Sequence, residues 1–181
     1  MDKKTQPKIS MPPWQSPREW TELVWALSHT SDKNQDRLGS AISLAGRIKK
    51  RLERVSSDLD LLCSSTCAAC TDICCRKATV WYDFKDLLFV YFSGLNFPES
   101  QIIKKENSCP HLTEKGCILP RTARPFICTW YICPAQKKCL ALPGPPSPKN
   151  SMVTALEEIK QMRKKLEDEF IRAVSWHIDQ F

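Results

Sequence analysis

The chain has 181 residues with a formal net charge of +7; 42% of them are hydrophobic and ten are cysteine. This length suits one domain with helical extensions, and the hydrophobic content together with six tryptophans excludes a disordered chain. The five glycines form no Gly-x-Gly-x-x-Gly or phosphate-loop pattern, which argues against nucleotide binding through a glycine-rich turn.

The compartment decides how the cysteines are interpreted. Charged residues at the start of the chain are followed by no apolar segment, so we expect no secretory signal and a cytoplasmic protein. The longest apolar run, residues 87–97, is too short to cross a bilayer, and no membrane association is expected. Because disulfides do not persist in a reducing compartment, the cysteines indicate metal ligation rather than five disulfides.

Two helices are predicted in the first third of the chain. Residues 1–13 are rich in proline and polar side chains and are expected to form a flexible lead. A serine N-cap, a proline and a glutamate at residues 16–19 predict a first helix over about 17–28. Polar residues 29–34 are expected to break it before a long helix over about 35–62. The apolar stripe of the long helix consists of Leu38, Ile42, Ala45, Ile48, Leu52, Val55, Leu59 and Leu62.

A last long helix is predicted over about 151–177. Its apolar face consists of Met152, Leu156, Ile159, Leu166, Phe170, Ala173 and His177. We expect the two long helices to pack against each other or against the cysteine-rich segment. The prolines of residues 143–148 predict an extended linker before the last helix. The predicted divisions are the lead 1–13, N-terminal helices 14–62, a cysteine-rich metal-binding core 63–140, a proline-rich linker 141–150 and a C-terminal helix 151–181.

The core itself is predicted to contain only short elements. In chain order they are a strand at 78–82, a helix at 84–93 that Asp83 caps and Gly94 ends, two extended arms within 109–117, and a turn or short helix within 122–133. The predicted fold class is therefore mainly α, with little β. Long N- and C-terminal helices would pack around an irregular cysteine-rich core.

Eight cysteines lie in two short groups within this core, a pattern typical of thiolate metal centres. The predicted ligands are Cys67, Cys70, Cys74, Cys75, Cys109, Cys117, Cys128 and Cys133. Zinc and iron–sulfur clusters are both commonly held by four cysteines. The adjacent pair Cys74 and Cys75, if extended, would point to opposite sides and would serve two metals or two corners of a cluster. This pair favours iron–sulfur, with 4Fe-4S preferred to zinc.

Basic residues are expected to support the centre. Arg124 and Pro125 would fix the approach of Cys128. Arg76, Lys77 and Arg121 lie near the cysteines in sequence and, with Arg124, are interpreted either as counterions that offset the negative charge of a cluster or as ordinary solvated surface residues.

The same residues resemble the zinc- or iron-chelating domain family often called YkgJ-type, over residues 67–133. The resemblance is carried by Cys67-x2-Cys70-x3-Cys74-Cys75, Val80-x2-Asp83, Cys109-Pro110-x-Leu112, Gly116-Cys117-Ile118 and Arg124-Pro125-x2-Cys128. The chain has three residues rather than two before the double cysteine, and Thr129 where an arginine is common. The resemblance implies metal binding, frequently of an iron–sulfur cluster, and no particular reaction.

Three candidate residues lie outside this ligand set. Cys63, Cys67 and Cys70 have the spacing of a radical-SAM motif, but the chain lacks the strand–helix alternation of that fold, so Cys63 is interpreted as the buried end of the long helix. Cys139 is interpreted as a bystander thiol. His111 is a possible ligand, although the eight cysteines already suffice.

Three function classes follow. The preferred one is a protein that holds one or two iron–sulfur clusters and has a redox, electron-transfer or modification-enzyme accessory role. The alternative is a zinc-stabilised structural or interaction module that binds a protein partner through the long helices. Nucleic-acid binding is less favoured, because a basic run such as this is more often a solvated helix face. That run consists of Arg47, Lys49, Lys50, Arg51 and Arg54.

Overall fold

A computed structural model describes most of the chain and gives a mainly helical fold. The described residues are 14, 16–67, 70–71, 73–77, 80–98, 109–114, 116–141 and 149–175. About three quarters of them are helical and about 3% form strands, which confirms the predicted mainly α class. The predicted lead 1–13 and the linker prolines at 143–148 lie outside the described residues.

The helices and strands follow the chain in a simple order. They are α1 Pro17–Lys33, a 3-10 turn Gln35–Arg37, α2 Gly39–Cys67, α3 Cys74–Lys77, α4 Phe84–Phe92, β1 Leu112–Thr113, β2 Gly116–Cys117, a 3-10 turn Arg121–Ala123, α5 Ile127–Trp130, α6 Pro134–Ala141 and α7 Lys149–Ser175. Among the described helices, none is long and apolar enough to cross a membrane.

Helix α1 begins as predicted but continues for five residues beyond its predicted end. The Ser16 side chain accepts from the Glu19 amide at 3.2 Å, and the Glu19 carboxylate accepts from the Ser16 amide at 2.8 Å. The predicted break at 29–34 is wrong, because residues 29–33 are helical. Leu27 and Ser31, four residues apart, are both buried on one face. Packing of this face therefore outweighs the polar character of the last turn.

Helices α2 and α7 pack along each other and supply most of the core. The predicted stripe of α2 is buried except for Ile42, which is 46% exposed. Ala41 is buried in its place, because the buried positions alternate steps of three and four residues from Leu38 onward. Leu44, which the pattern missed, is 2% exposed. The predicted face of α7 is buried from Met152 to Ala173, whereas His177 lies outside the described residues.

This correction predicts different costs for two substitutions on the same helix. Leu44→Ala is expected to lower the free energy of unfolding by about 2–5 kcal/mol, because it removes buried methyl groups and leaves a cavity. Ile42→Ala, two residues away, is expected to cost less than about 1 kcal/mol, because its side chain is nearly half exposed. Urea denaturation of both variants measures the difference. Equal losses of unfolding free energy in the two variants would contradict the orientation of α2, in which Leu44 is buried and Ile42 is exposed.

Helix α4 packs against both α2 and α7, and it precedes the hairpin in the chain. Its capping box joins Asp83 and Asp86 through N–H···O bonds of 2.8 and 3.0 Å, and Gly94 has a φ of 63°, so the predicted cap and stop are confirmed. The predicted strand at 78–82 is wrong at residues 80–82, which have no regular secondary structure; residues 78 and 79 lie outside the described part.

The cysteine-rich segment consists of short elements, as predicted. Strands β1 and β2 pair antiparallel, with Leu112 opposite Cys117, and Gly116 has a φ of 103° that suits its turn. The predicted turn or short helix over 122–133 corresponds to a 3-10 turn and α5. Helix α6, which follows Cys133, was not predicted.

Candidate metal centre

One group of cysteines, which we call the first group, brings together four elements that are distant in sequence. It consists of Cys75 in α3, Cys109 before β1, Cys117 in β2 and Cys128 in α5. The pKa of the Cys128 thiol is raised to about 12, first by burial of the sulfur, although the residue as a whole is exposed, and then by negative charge on Cys75, Cys117 and Cys109. The pKa of the Cys75 thiol is raised by burial and then by negative charge on Cys74, Cys117 and Cys109. Cys75 and Cys128 therefore lie within electrostatic reach of each other and of both Cys109 and Cys117.

Backbone hydrogen bonds position the first group. The Cys109 amide donates to the Cys75 carbonyl at 3.2 Å, which joins α3 to the start of the hairpin. The Leu112 amide donates to the Cys109 carbonyl at 3.0 Å, so a tight turn leads from this cysteine into β1. The Ile118 amide donates to the carbonyl of His111 at 2.9 Å, which continues the pairing beyond Cys117.

Arg124 and Pro125, the two predicted supports, both lie beside this group. Arg124 donates from Nε to the Leu119 carbonyl at 2.8 Å and from Nη2 to the Cys117 carbonyl at 3.5 Å. Its positive charge lowers the pKa of Cys75, against the larger raising effect of burial. Pro125 is fully buried, and its carbonyl accepts from the Cys128 amide at 2.9 Å. The arginine thus holds the chain after Cys117, and the proline holds the turn that carries Cys128.

A buried ion pair underlies the segment that carries Cys128. Arg163 of α7, 3% exposed, donates from Nη2 to Asp83 Oδ1 at 3.0 Å, and the same Nη2 forms an ion pair with Asp86 Oδ1 at 2.8 Å. Asp86 Oδ1 also accepts from the Phe126 amide at 2.9 Å, and the Arg163 guanidinium lies 4.6 Å from the centre of the Phe126 ring. The Tyr82 hydroxyl adds a hydrogen bond of 2.5 Å to the Ala123 carbonyl. Helices α4 and α7 are thereby tied to residues 123–126.

Asp86 makes the stability of this network depend on pH. Burial raises the pKa of Asp86 from 3.8 to about 6; Arg163 counteracts the rise, and Asp83 adds to it. The folded protein therefore binds this proton more tightly than the unfolded chain. The resulting stabilisation is present below about pH 4 and is lost as the pH rises through 6.

Asp86→Asn removes this titration. We expect the wild type to lose about 2–3 kcal/mol of unfolding free energy, relative to Asp86→Asn, between pH 4 and pH 7. Denaturant titrations give the free energy of unfolding of both proteins at pH 4 and at pH 7. The change between the two pH values is then compared for the two proteins. A pH-independent difference between them would contradict a raised pKa at Asp86.

A second group of cysteines lies where α2 ends, and it includes a residue outside the predicted ligands. The pKa of the Cys67 thiol is raised to about 11, first by partial burial of the sulfur, although the residue as a whole is exposed, then by the charge of Cys63 and by a smaller effect of Cys74. The Cys70 amide donates to the Cys67 carbonyl at 3.2 Å, which keeps this predicted pair together in a turn. Cys63, Cys67 and Cys74 are called the second group below.

Cys63 was missed because the end of α2 was predicted five residues early. Helix α2 extends to Cys67, so Cys63 and Cys67 are four residues apart on one helical face. Cys63 is half-buried rather than a fully buried helix end. The spacing of four residues was the available signal, and it becomes informative only once both residues are placed in one helix.

The adjacent pair Cys74 and Cys75 is helical, so the expectation of an extended chain is wrong. Successive side chains on a helix diverge by about 100°, which still separates the two sulfurs. Cys74, a member of the second group, acts electrostatically on Cys67 of its own group and on Cys75 of the first group. The groups are neighbours rather than distant sites.

The remaining candidate residues have structural contacts. Cys139 lies in α6 and packs against the hydrophobic core. In the basic run of α2, Arg51 forms an ion pair with Glu158, and Lys49 donates to the Ser93 carbonyl at 3.5 Å. Two of its five cations are therefore engaged within the protein.

All ten cysteines lie in described segments, and none of them forms a disulfide. Among the described residues, no three or more Cys, His, Asp or Glu side chains are arranged to hold a metal ion as they stand. The donor type nevertheless suits a thiophilic metal, because four thiols in electrostatic contact lie beside an arginine. Closing either group around an ion requires loss of the thiol protons and rotation of the cysteine side chains.

Comparison with known proteins adds no relative of the chain. It matches no family model, no curated protein and no solved structure. The resemblance of residues 67–133 to the YkgJ-type family therefore rests on the cysteine, proline and arginine residues that carry it, and it stays a prediction.

Proposed function

We propose that the protein binds metal through its cysteines, with Cys75, Cys109, Cys117 and Cys128 as one four-thiolate centre. The observation that supports this most directly is that Cys75, Cys109 and Cys117 all act electrostatically on Cys128, and that Cys109 and Cys117 also act on Cys75. Thiolates within this range repel one another, and a bound cation removes that repulsion. The described hairpin and short helices around them bury little core of their own, so the metal would also hold these elements together.

Iron–sulfur is the preferred cofactor, and its role would be redox or electron transfer, alone or as the accessory part of a modification enzyme. A bound 4Fe-4S cluster would supply one-electron chemistry, and with four thiolates it carries a formal charge of about −2. Arg124, within electrostatic reach of Cys75, is suited to offset part of that charge. A second group of cysteines next to the first also favours a polynuclear or paired arrangement.

A zinc-stabilised module is the second candidate, and one observation favours it. The first group ties together α3, a two-strand hairpin with two residues in each strand, and the four-residue helix α5. Small elements of this kind are commonly held by a structural zinc ion with four cysteine ligands. In that case the metal would be structural, and the protein would act by binding a partner.

The visible spectrum and acid-labile sulfide of protein purified without oxygen separate the two candidates. Iron–sulfur clusters give a brown protein with absorbance at about 400 nm and release sulfide in acid. A zinc protein is colourless, because the filled d shell of zinc has no such transitions, and it releases no sulfide in acid. Bound zinc without sulfide would overturn the iron–sulfur proposal and leave the zinc module. Absence of both metals from a reduced protein would overturn metal binding itself.

A further inference from the structure

The sulfur of Cys63 accepts hydrogen bonds from two buried side chains. Arg121, 6% exposed, donates from Nη2 to Cys63 Sγ at 3.3 Å, and its Nε donates to Asp60 Oδ1 at 2.6 Å. The Asp60 side chain is 63% exposed, so its carboxylate is hydrated as well as paired with Arg121. Because a guanidinium has no acceptor, the sulfur can only accept from it.

Gln136 supplies the second donor and has only one consistent orientation. Its Oε1 accepts from the Cys133 amide at 3.1 Å, and its Nε2 lies 3.5 Å from Cys63 Sγ. Exchanging oxygen and nitrogen would place an NH2 group against the Cys133 N–H, so Nε2 faces the sulfur. The side chain, 6% exposed, also connects Cys63 in α2 to Cys133 at the start of α6.

Two N–H donors on one sulfur, one of them cationic, form the surroundings that stabilise a metal-bound thiolate. An ordinary buried cysteine is a small apolar side chain and needs neither donor. Cys63 also faces Cys67 from one helical turn away, and Cys74 lies within electrostatic reach of Cys67. This combination distinguishes Cys63 from Cys139, which packs against the hydrophobic core.

We propose that Cys63 is a thiolate ligand of a second metal centre, together with Cys67 and Cys74, and that Arg121 and Gln136 stabilise its negative charge. The inference rests on the proposed function and extends its ligand set. The expected metal is a thiophilic cation, iron with sulfide or zinc. Each thiol releases its proton to solvent and donates a sulfur electron pair to the metal, so no oxidant is required. Cys70 or Cys133 would supply a fourth ligand.

Differential alkylation of the wild type tests this proposal without any substitution. Native protein is treated with iodoacetamide in the metal-loaded and the metal-stripped state, and each cysteine is then quantified by mass spectrometry. We expect bound metal to slow alkylation of both Cys63 and Cys67 at least about tenfold, because the metal occupies the attacking electron pair. Cys139, also half-buried, is the internal control and should react at the same rate in both states.

Two variants test the same ligand by metal content. Cys63→Ser is expected to lose the second centre and keep the first, whereas Cys139→Ser should keep the metal content of the wild type. Gln136→Glu places a carboxylate next to the Cys63 sulfur with almost no change of shape. It should weaken metal binding at the second centre by about 10–100-fold and leave the first centre filled.

The outcomes separate this inference from the proposed function. A wild type that binds metal while Cys63 is alkylated at the metal-free rate would overturn the role of Cys63 alone. Unchanged metal content in a folded Cys63→Ser protein would do the same. A wild type that takes up neither iron with sulfide nor zinc would overturn the proposed function and this inference together.

Discussion

Replacing Arg163 with methionine is expected to lower the free energy of unfolding at pH 7 by about 3–5 kcal/mol. Arg163 is 3% exposed and is the cation that pairs with the buried Asp86 and with Asp83. Without it, an ionised carboxylate at Asp86 would be left buried with only backbone N–H partners. Methionine fills a similar volume, so the loss would report the charge rather than a cavity.

Chemical denaturation measures this loss, and Arg172→Met on the same helix is the matched control. Arg172 pairs with Glu169 at 3.1 Å, but its side chain is 69% exposed, so its replacement should cost less than about 1 kcal/mol. Similar losses in the two variants would show that the Arg163 pair contributes no more than a surface salt bridge. Because Phe126 is bonded to Asp86, Arg163→Met should also weaken metal binding at Cys128.

Replacing Cys75 with serine is expected to empty the first centre. Serine preserves the size of the side chain but does not provide a thiolate, and a three-cysteine set is left for a cation that prefers four soft ligands. The bound metal should fall by about half if both centres are filled, and the elements around the first group should become more susceptible to proteolysis. Elemental analysis and limited proteolysis of the variant measure the two effects.

Cys139→Ser is the control for this substitution as well, since Cys139 packs in α6 against the core. The metal content of Cys139→Ser should equal that of the wild type. Full metal content in Cys75→Ser would mean that the electrostatic contact among the first group does not reflect a shared ligand. Loss of metal from both serine variants would mean that any missing thiol destabilises the fold.

Local signals were enough to predict the starts of α1 and α4, whereas α2 begins at Gly39, four residues after its predicted start, and α3 and α6 were not predicted. The capping boxes at Ser16 and Asp83 each use a side chain three residues from its partner, so a short stretch of sequence contains the whole motif. The end of α1 and the facing of Ile42 depend instead on what packs against the helix, and both were predicted wrongly. The expected strand at 80–82 rested on β-propensity, but Tyr82 is held by a hydrogen bond to Ala123 in a segment without regular structure.

The candidate site was predictable as a set of residues but not as groups. Spacing identified Cys75, Cys117 and Cys128, yet their proximity depends on the hairpin and on the buried pair of Asp86 and Arg163, which are distant in sequence. Arg163 has no local pattern that distinguishes it from the other cations of α7. Cys63 was not predicted as a ligand for a similar reason, because the side chains that donate hydrogen bonds to its sulfur come from residues 121 and 136, which are distant in sequence.

The metal content per chain is the most direct test of metal binding by the cysteines, measured by elemental analysis on protein purified without oxygen, with a thiol titration on the same sample. We expect about four or eight irons with matching sulfide, or about one or two zinc ions, in protein whose cysteines are reduced. Ten reduced thiols with no metal above background would contradict it. The cysteines would then have to be explained as free thiols.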